Sequence, residues 1–174
     1  MLASVERYPA AMRALHWIVA LLVLIVLPFG VVIKFIKEDV KLTFYMIHES
    51  LGFVILWIML ARLAVRLVSR VPPPVPMPPA QHAVAATVHA LLYVALIAQP
   101  ILGFLATNAF GFPLQWFWLV EIPSPVGHDE AIAPYFMAAH VIVGYSIVVL
   151  FLLHMAGTLF HHVVKRDETL ERML

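Results

Sequence analysis

Charge is distributed along this chain in a way that divides it into four long apolar stretches. Ala14–Ile33 contains no Asp, Glu, Lys or Arg. Phe44–Leu67 is apolar except for Glu49 near one end and Arg62 and Arg66 near the other. Val71–Val120 lacks formal charge, and Ala131–Val164 is again charge-free. Each stretch exceeds the ~20 residues a helix needs to cross a bilayer. The pattern predicts membrane helices over about 14–35, 44–68, 83–107 and 134–164, and hence an all-α, integral membrane, four-helix up-and-down bundle. The first apolar run is too long for a cleavable signal peptide and lacks a good small-residue cleavage site.

The connections are equally telling. Val71-Pro-Pro-Pro-Val-Pro-Met-Pro-Pro-Ala80 is a stiff polyproline-type linker between the second and third helices. The segment from about Asn108 to Ala133 is long, and Trp116, Phe117 and Trp118 suit an interfacial anchor, expected to include a short surface helix. No repeat or composition shift marks a second unit, so residues 1–174 are read as one membrane domain. Basic residues set the orientation. Arg7, Arg13, Arg62, Arg66, Arg70, Lys165, Arg166 and Arg172 lie on the side of the termini, against Lys34, Lys37 and Lys41 on the other. Both termini are therefore expected in the cytoplasm.

Composition closes off most other classes. Of 174 residues, 63% are hydrophobic and 12% charged, where a soluble domain carries roughly 25%. There is no cysteine, which excludes disulfides, thiolate clusters and thioether-linked haem. A net charge of +1 gives no case for nucleic acid. Nine histidines in so apolar a chain are the exception that calls for an explanation.

Their positions supply one. His140 and His154 are 14 residues apart on the fourth helix, which is ~21 Å along the axis and only ~40° around it. His161 continues the stripe ~10 Å further on. Imidazoles on one face at two depths suit a pair of haems, since neutral imidazole is a good axial donor and facing helices supply the opposite ligand. By depth, His48 is level with His140, while His16 and His89 are both level with His154, and spacing leaves that choice open. Gly52 and Gly144 each follow a histidine by four residues, removing a side chain where a flat macrocycle would press. Arg62 and Arg66 fall on the face of His48 at the deeper level, where haem propionates would give them a counter-charge. His82, His128 and His162 are read as interfacial, as is Glu49.

The ordered set of these residues resembles the bacterial cytochrome b561 family over almost the whole chain. The resemblance rests on Leu15-His16-Trp17, Met46-Ile47-His48, Arg62 with the Pro-rich linker after it, His89 leading to Gln99-Pro100-Ile101-Leu102-Gly103, then His140, His154 and His161-His162. It implies two non-covalent b haems in the bacterial inner membrane, a cytoplasmic one on His16 and His154 and a periplasmic one on His48 and His140. It further implies oxidoreductase activity, with electrons passing from periplasmic superoxide to ubiquinone. In that reading Lys34, Lys37 and Lys41 steer the anion. His161 is the best residue to hydrogen-bond a quinone carbonyl, with Arg13 and His89 behind it. The alternative is a membrane-anchor subunit relaying electrons between a periplasmic dehydrogenase and quinone, docked on the segment 110–134. A haem-free transporter is the third class, disfavoured because no repeat or mid-membrane break is evident.

Overall fold

The structure, a computed structural model, describes residues 5–174. Among these, four helices are long and apolar enough to cross a membrane. Helix α1 spans Ala10–Val32, α2 Glu38–Val68, α3 Pro79–Ala109 and α4 Ala133–Leu159. Three of them start earlier than charge alone suggests, for local reasons. Pro9 lies just ahead of α1 in an extended conformation. The first turn of α2 carries Glu38 and Asp39 and its last turn Arg66, charges that complement the helix dipole at both ends. Pro79 stands at the first position of α3, where its missing N–H is harmless and its fixed φ suits a helix.

The closest helix packing joins each helix to its sequence neighbour, α1 to α2, α2 to α3 and α3 to α4. The buried core is narrow. Val19, Val23 and Val26 of α1 pack on Ile55 and Met59 of α2, with Tyr93, Leu96 and Ile97 of α3 against them. Leu21, Leu24, Trp57, Val149 and Leu152 point outward and are exposed. So apolar an exterior is stable only against lipid tails, so this is a membrane-embedded four-helix bundle.

One connection and one helix end depart from expectation. The segment after α3 forms no surface helix. It pairs β1 (Leu114–Trp116) with β2 (Val120–Ile122) as an antiparallel hairpin in which Trp116 faces Val120. Aromatic and β-branched residues favour that outcome once Pro113 has ended any helix. Its turn puts Phe117 at φ 46° and Trp118 at φ 61°, a left-handed conformation costly for bulky residues. Two bonds hold it there. Leu119 N–H donates to the Trp116 carbonyl at 2.9 Å, and Phe117 N–H donates to the Ser50 hydroxyl at 2.8 Å. Ser50 is fully buried on α2, two residues after His48. At the other end of the bundle α4 widens into a π-turn over Phe160–Lys165 and stops at Arg166, whose φ of 54° reverses the chain.

Candidate functional site

Four histidines meet inside the bundle as two pairs at two depths. His48 of α2 faces His140 of α4 with ring centroids 6.2 Å apart and planes at 84°. His16 of α1 faces His154 of α4, also at 6.2 Å, with planes at 69°. Both pairs reach from the α1–α2 side to α4, where the backbones approach less closely than between sequence neighbours. An iron held by two imidazoles needs ~2 Å to each nitrogen and ~1.1 Å more to each ring centre, or ~6.2 Å in all. Both pairs have that spacing. His89, the other candidate opposite His154, lies at 5.2 Å, too close for a metal between the rings.

The outer pair is held by backbone. His48 Nδ1 lies 3.2 Å from the Val26 carbonyl, and His140 Nδ1 lies 3.0 Å from the Gln99 carbonyl. A carbonyl can only accept, so each Nδ1 carries the proton and each Nε2 has the lone pair; at His140 the Gln99 amide donates to it at 3.3 Å and would have to turn away before that nitrogen could act as a ligand. The neighbouring helices come close because they are glycine at the point of contact. A Cβ on Gly30 would lie 2.9 Å from the His48 ring, and one on Gly103 would lie 2.9 Å from the His140 ring. Sequence reasoning missed Gly30 and met Gly103 only as the end of a motif, because their work is done across helices. Of the two it named, Gly144 accommodates Gln99, whose amide would sit 3.1 Å from a Cβ there, while Gly52 has nothing within 4 Å. Gly52 borders the cavity between the four helices that His48 and His140 line. A cradle of that kind, open at Gly52 and floored by Ile55 and Ile147, suits a flat apolar group.

Lys34, Tyr45 and Glu49 also line this cavity. The three lysines therefore differ. Lys34 borders the cavity, Lys37 is exposed just ahead of α2, and Lys41 bonds the Glu38 carboxylate at 2.7 Å. Glu49, read from sequence as merely interfacial, lines the cavity wall beside His48.

The inner pair is held by side chains. Arg62 Nη2 donates to His16 Nδ1 at 2.9 Å. That bond uses the nitrogen that must carry a proton when the ring binds metal, so Arg62 has to leave before His16 can act as a ligand. The surroundings provide a reason to leave. Arg62 and Arg66 both sit over the Tyr93 ring, at 5.1 and 5.8 Å. Arg62 Nε and the Tyr93 hydroxyl are buried with no partner among the described residues. Buried donors without acceptors are costly, and carboxylates of a bound group would satisfy them. The donor set fits a porphyrin bearing propionates.

Further toward the termini, His161 is mostly covered and its Nδ1 lies 2.6 Å from Asp167 Oδ2. Nearby, Arg13 donates to the Leu174 backbone oxygen, and Trp17 Nε1 donates to the Met173 carbonyl at 2.8 Å. No cluster of three or more metal-binding carboxylate, histidine or cysteine side chains occurs among the described residues.

Imidazoles paired across a membrane bundle at two depths define a b-type cytochrome scaffold. The family described as prokaryotic cytochrome b561 matches residues 7–174. Among relatives, cytochrome b561 homolog 2 of Escherichia coli (strain K12) is 31% identical over 180 residues, covering 97% of this chain and 92% of the relative. A probable superoxide oxidase, CybB, of Yersinia pestis is 30% identical over 170 residues, covering 97% and 96%. Cytochrome b561 homolog 1 of Escherichia coli (strain K12) is 28% identical over 130 residues. The chain belongs to the prokaryotic cytochrome b561 family: it is a multi-pass, haem b-binding electron-transfer protein of the bacterial inner membrane.

Proposed function

We propose that this cytochrome holds two b haems and carries electrons across the inner membrane, from periplasmic superoxide to ubiquinone near the cytoplasmic face. The observation that carries the reading is the pair of crossed imidazole couples, each with 6.2 Å between ring centres. His48 with His140 would hold the outer haem, and His16 with His154 the inner one. Haem bound at each tier supplies reversible one-electron chemistry. The chain's own share is to fix the rings, exclude water and set the charge around each tier.

Arg62 and Arg66 would pair with propionates at the inner tier, and the missing side chain of Gly52 leaves room for an outer porphyrin. Gly144 enters by accommodating Gln99, whose carbonyl orients His140. Lys34 and Lys37 favour a small anion approaching the outer cavity, whereas Lys41 is neutralised locally by Glu38. His161 and Arg13 lie at the terminal end, where a quinone carbonyl would find hydrogen-bond donors. The basic residues gathered there support a cytoplasmic position for that end. The net reaction balances as two superoxide anions, one ubiquinone and two protons giving two dioxygen molecules and one ubiquinol. Similarity to a probable superoxide oxidase supports the choice of donor.

The deciding experiment follows the reduced haem spectrum of the purified protein with enzymatically generated superoxide as the sole reductant. Reduction of two haems per chain and reoxidation by a short-chain ubiquinone are expected. Protein fully loaded with haem that superoxide leaves oxidised would reject the donor, and a single haem per chain would reject the two-tier reading.

A further inference from the structure

Among the described residues, three histidines have Nδ1 tied to an oxygen acceptor, and the acceptors are of two kinds. His48 and His140 use backbone carbonyls, which fix the tautomer and suit a ring that stays neutral. His161 uses a carboxylate, Asp167, at 2.6 Å. A carboxylate fixes the same tautomer and also stabilises the ring when it takes up a second proton.

The local fold is built around that contact. The π-turn and the reversal at Arg166 bring the chain back over the end of α4. Asp167 N–H then donates to the His161 carbonyl at 3.3 Å, and Thr169 N–H donates to Asp167 Oδ1 at 3.0 Å. One carboxylate oxygen is thus held by Thr169 and the other is aimed at the ring. The two side chains keep only 13% and 23% of their surface exposed. Burial pushes the Asp167 carboxyl up, but hydrogen bonds from Thr169 and His161 outweigh it and hold the group below the usual aspartate range. The strap continues over the bundle end, with Arg172 donating to the Pro73 carbonyl at 2.6 Å and Tyr8 N–H to the Arg172 carbonyl at 3.0 Å.

We propose that Asp167 is a positioning residue for quinone reduction, holding His161 Nδ1–H so that Nε2 is presented to a quinone carbonyl and the ring can deliver a proton there. This rests on the reading of His161 as the quinone-side residue. Reducing ubiquinone takes two electrons, supplied by two superoxide anions, and two protons. The doubly protonated ring gives up its Nε2 proton as the reduced quinone oxygen takes it: an N–H bond breaks and an O–H bond forms. The ring is left neutral, still bonded through Nδ1–H to Asp167, and is reprotonated from water for the second transfer.

The test uses haem-loaded full-length protein and a short-chain ubiquinone, with superoxide as donor. Asp167→Asn should lower kcat for quinone reduction ~10–100-fold, the usual scale for losing a partner that orients a working histidine. KM for quinone and the rate of haem reduction by superoxide should change little, and Asp167→Glu should restore most of kcat. His161→Gln should be at least as slow as Asp167→Asn. Arg172→Ala loosens the strap without touching the dyad and should keep kcat. A normal kcat in Asp167→Asn beside a slow His161→Gln overturns the role of Asp167 alone. Normal rates in both overturn the placement of quinone at His161 and the role of Asp167 with it. Equal losses in Arg172→Ala and Asp167→Asn, or no recovery with Asp167→Glu, show that strap packing matters rather than the carboxylate, and also overturn the proposal.

Discussion

The outer and inner histidine pairs have the same ring-to-ring distance and are built by opposite means. The outer rings are fixed by main chain, with one carbonyl per Nδ1 and one glycine against each ring. Among the described residues the inner pair has no such backbone bond, and His16 is held instead by a guanidinium that shares Tyr93 with a second arginine. A site fixed by backbone holds its rings in place but tolerates little change. A site fixed by long side chains must rearrange when it fills, and each of those side chains is a separate means of adjusting the bound group. One protein thus carries a rigid tier beside the cavity and an adjustable tier toward the termini.

The largest expected effect tests the rigidity of the outer tier. Gly103→Val places carbon where a ring already sits 2.9 Å away, and that ring cannot swing without breaking its bond to Gln99. The variant should lose the outer haem and keep the inner one, halving haem per chain in a pyridine haemochrome assay. A full complement would show that the outer cradle is softer than its geometry implies. A smaller effect belongs to the inner tier. Arg62→Met removes a positive charge and a charge-assisted bond, so the inner haem should be easier to oxidise, with its midpoint lowered by ~60 mV for ~1.4 kcal/mol lost. A redox titration that resolves two midpoints should show the outer one unmoved. The smallest effect sharpens the picture at the outer cavity, which Lys34 borders. Lys34→Gln should slow reduction by superoxide ~2–5-fold at low ionic strength, an effect that fades as salt screens the field.

The four helices were legible because membrane crossing requires long charge-free runs and this chain confines its charges to the ends. The histidine tiers were legible for a related reason: a 14-residue spacing on one helix survives folding unchanged. What was hidden depends on contacts between segments far apart in sequence. Gly30 and Gly103 matter because another helix presses an imidazole against them, which spacing within one helix cannot reveal. His16 and His89 look equivalent by depth, and their ring separations from His154, 6.2 and 5.2 Å, differ in a way that spacing within a helix does not show. The hairpin was missed because its turn uses Phe117 and Trp118 where glycine or asparagine normally signals left-handed backbone. Asp167 was missed because an ordinary α-helical end does not announce a π-turn followed by the reversal at Arg166.

The way the pairs are shared among helices also bears on how the molecule is made. Each couple joins a histidine of α1 or α2 to one of α4, and Ser50 finds its partner only when Phe117 arrives. During synthesis the first three helices can therefore enter the lipid with neither clasp closed. If each couple holds a haem as proposed, that haem can be gripped from both sides only once the final helix has been threaded, and a chain truncated before α4 is expected to bind no haem between paired imidazoles.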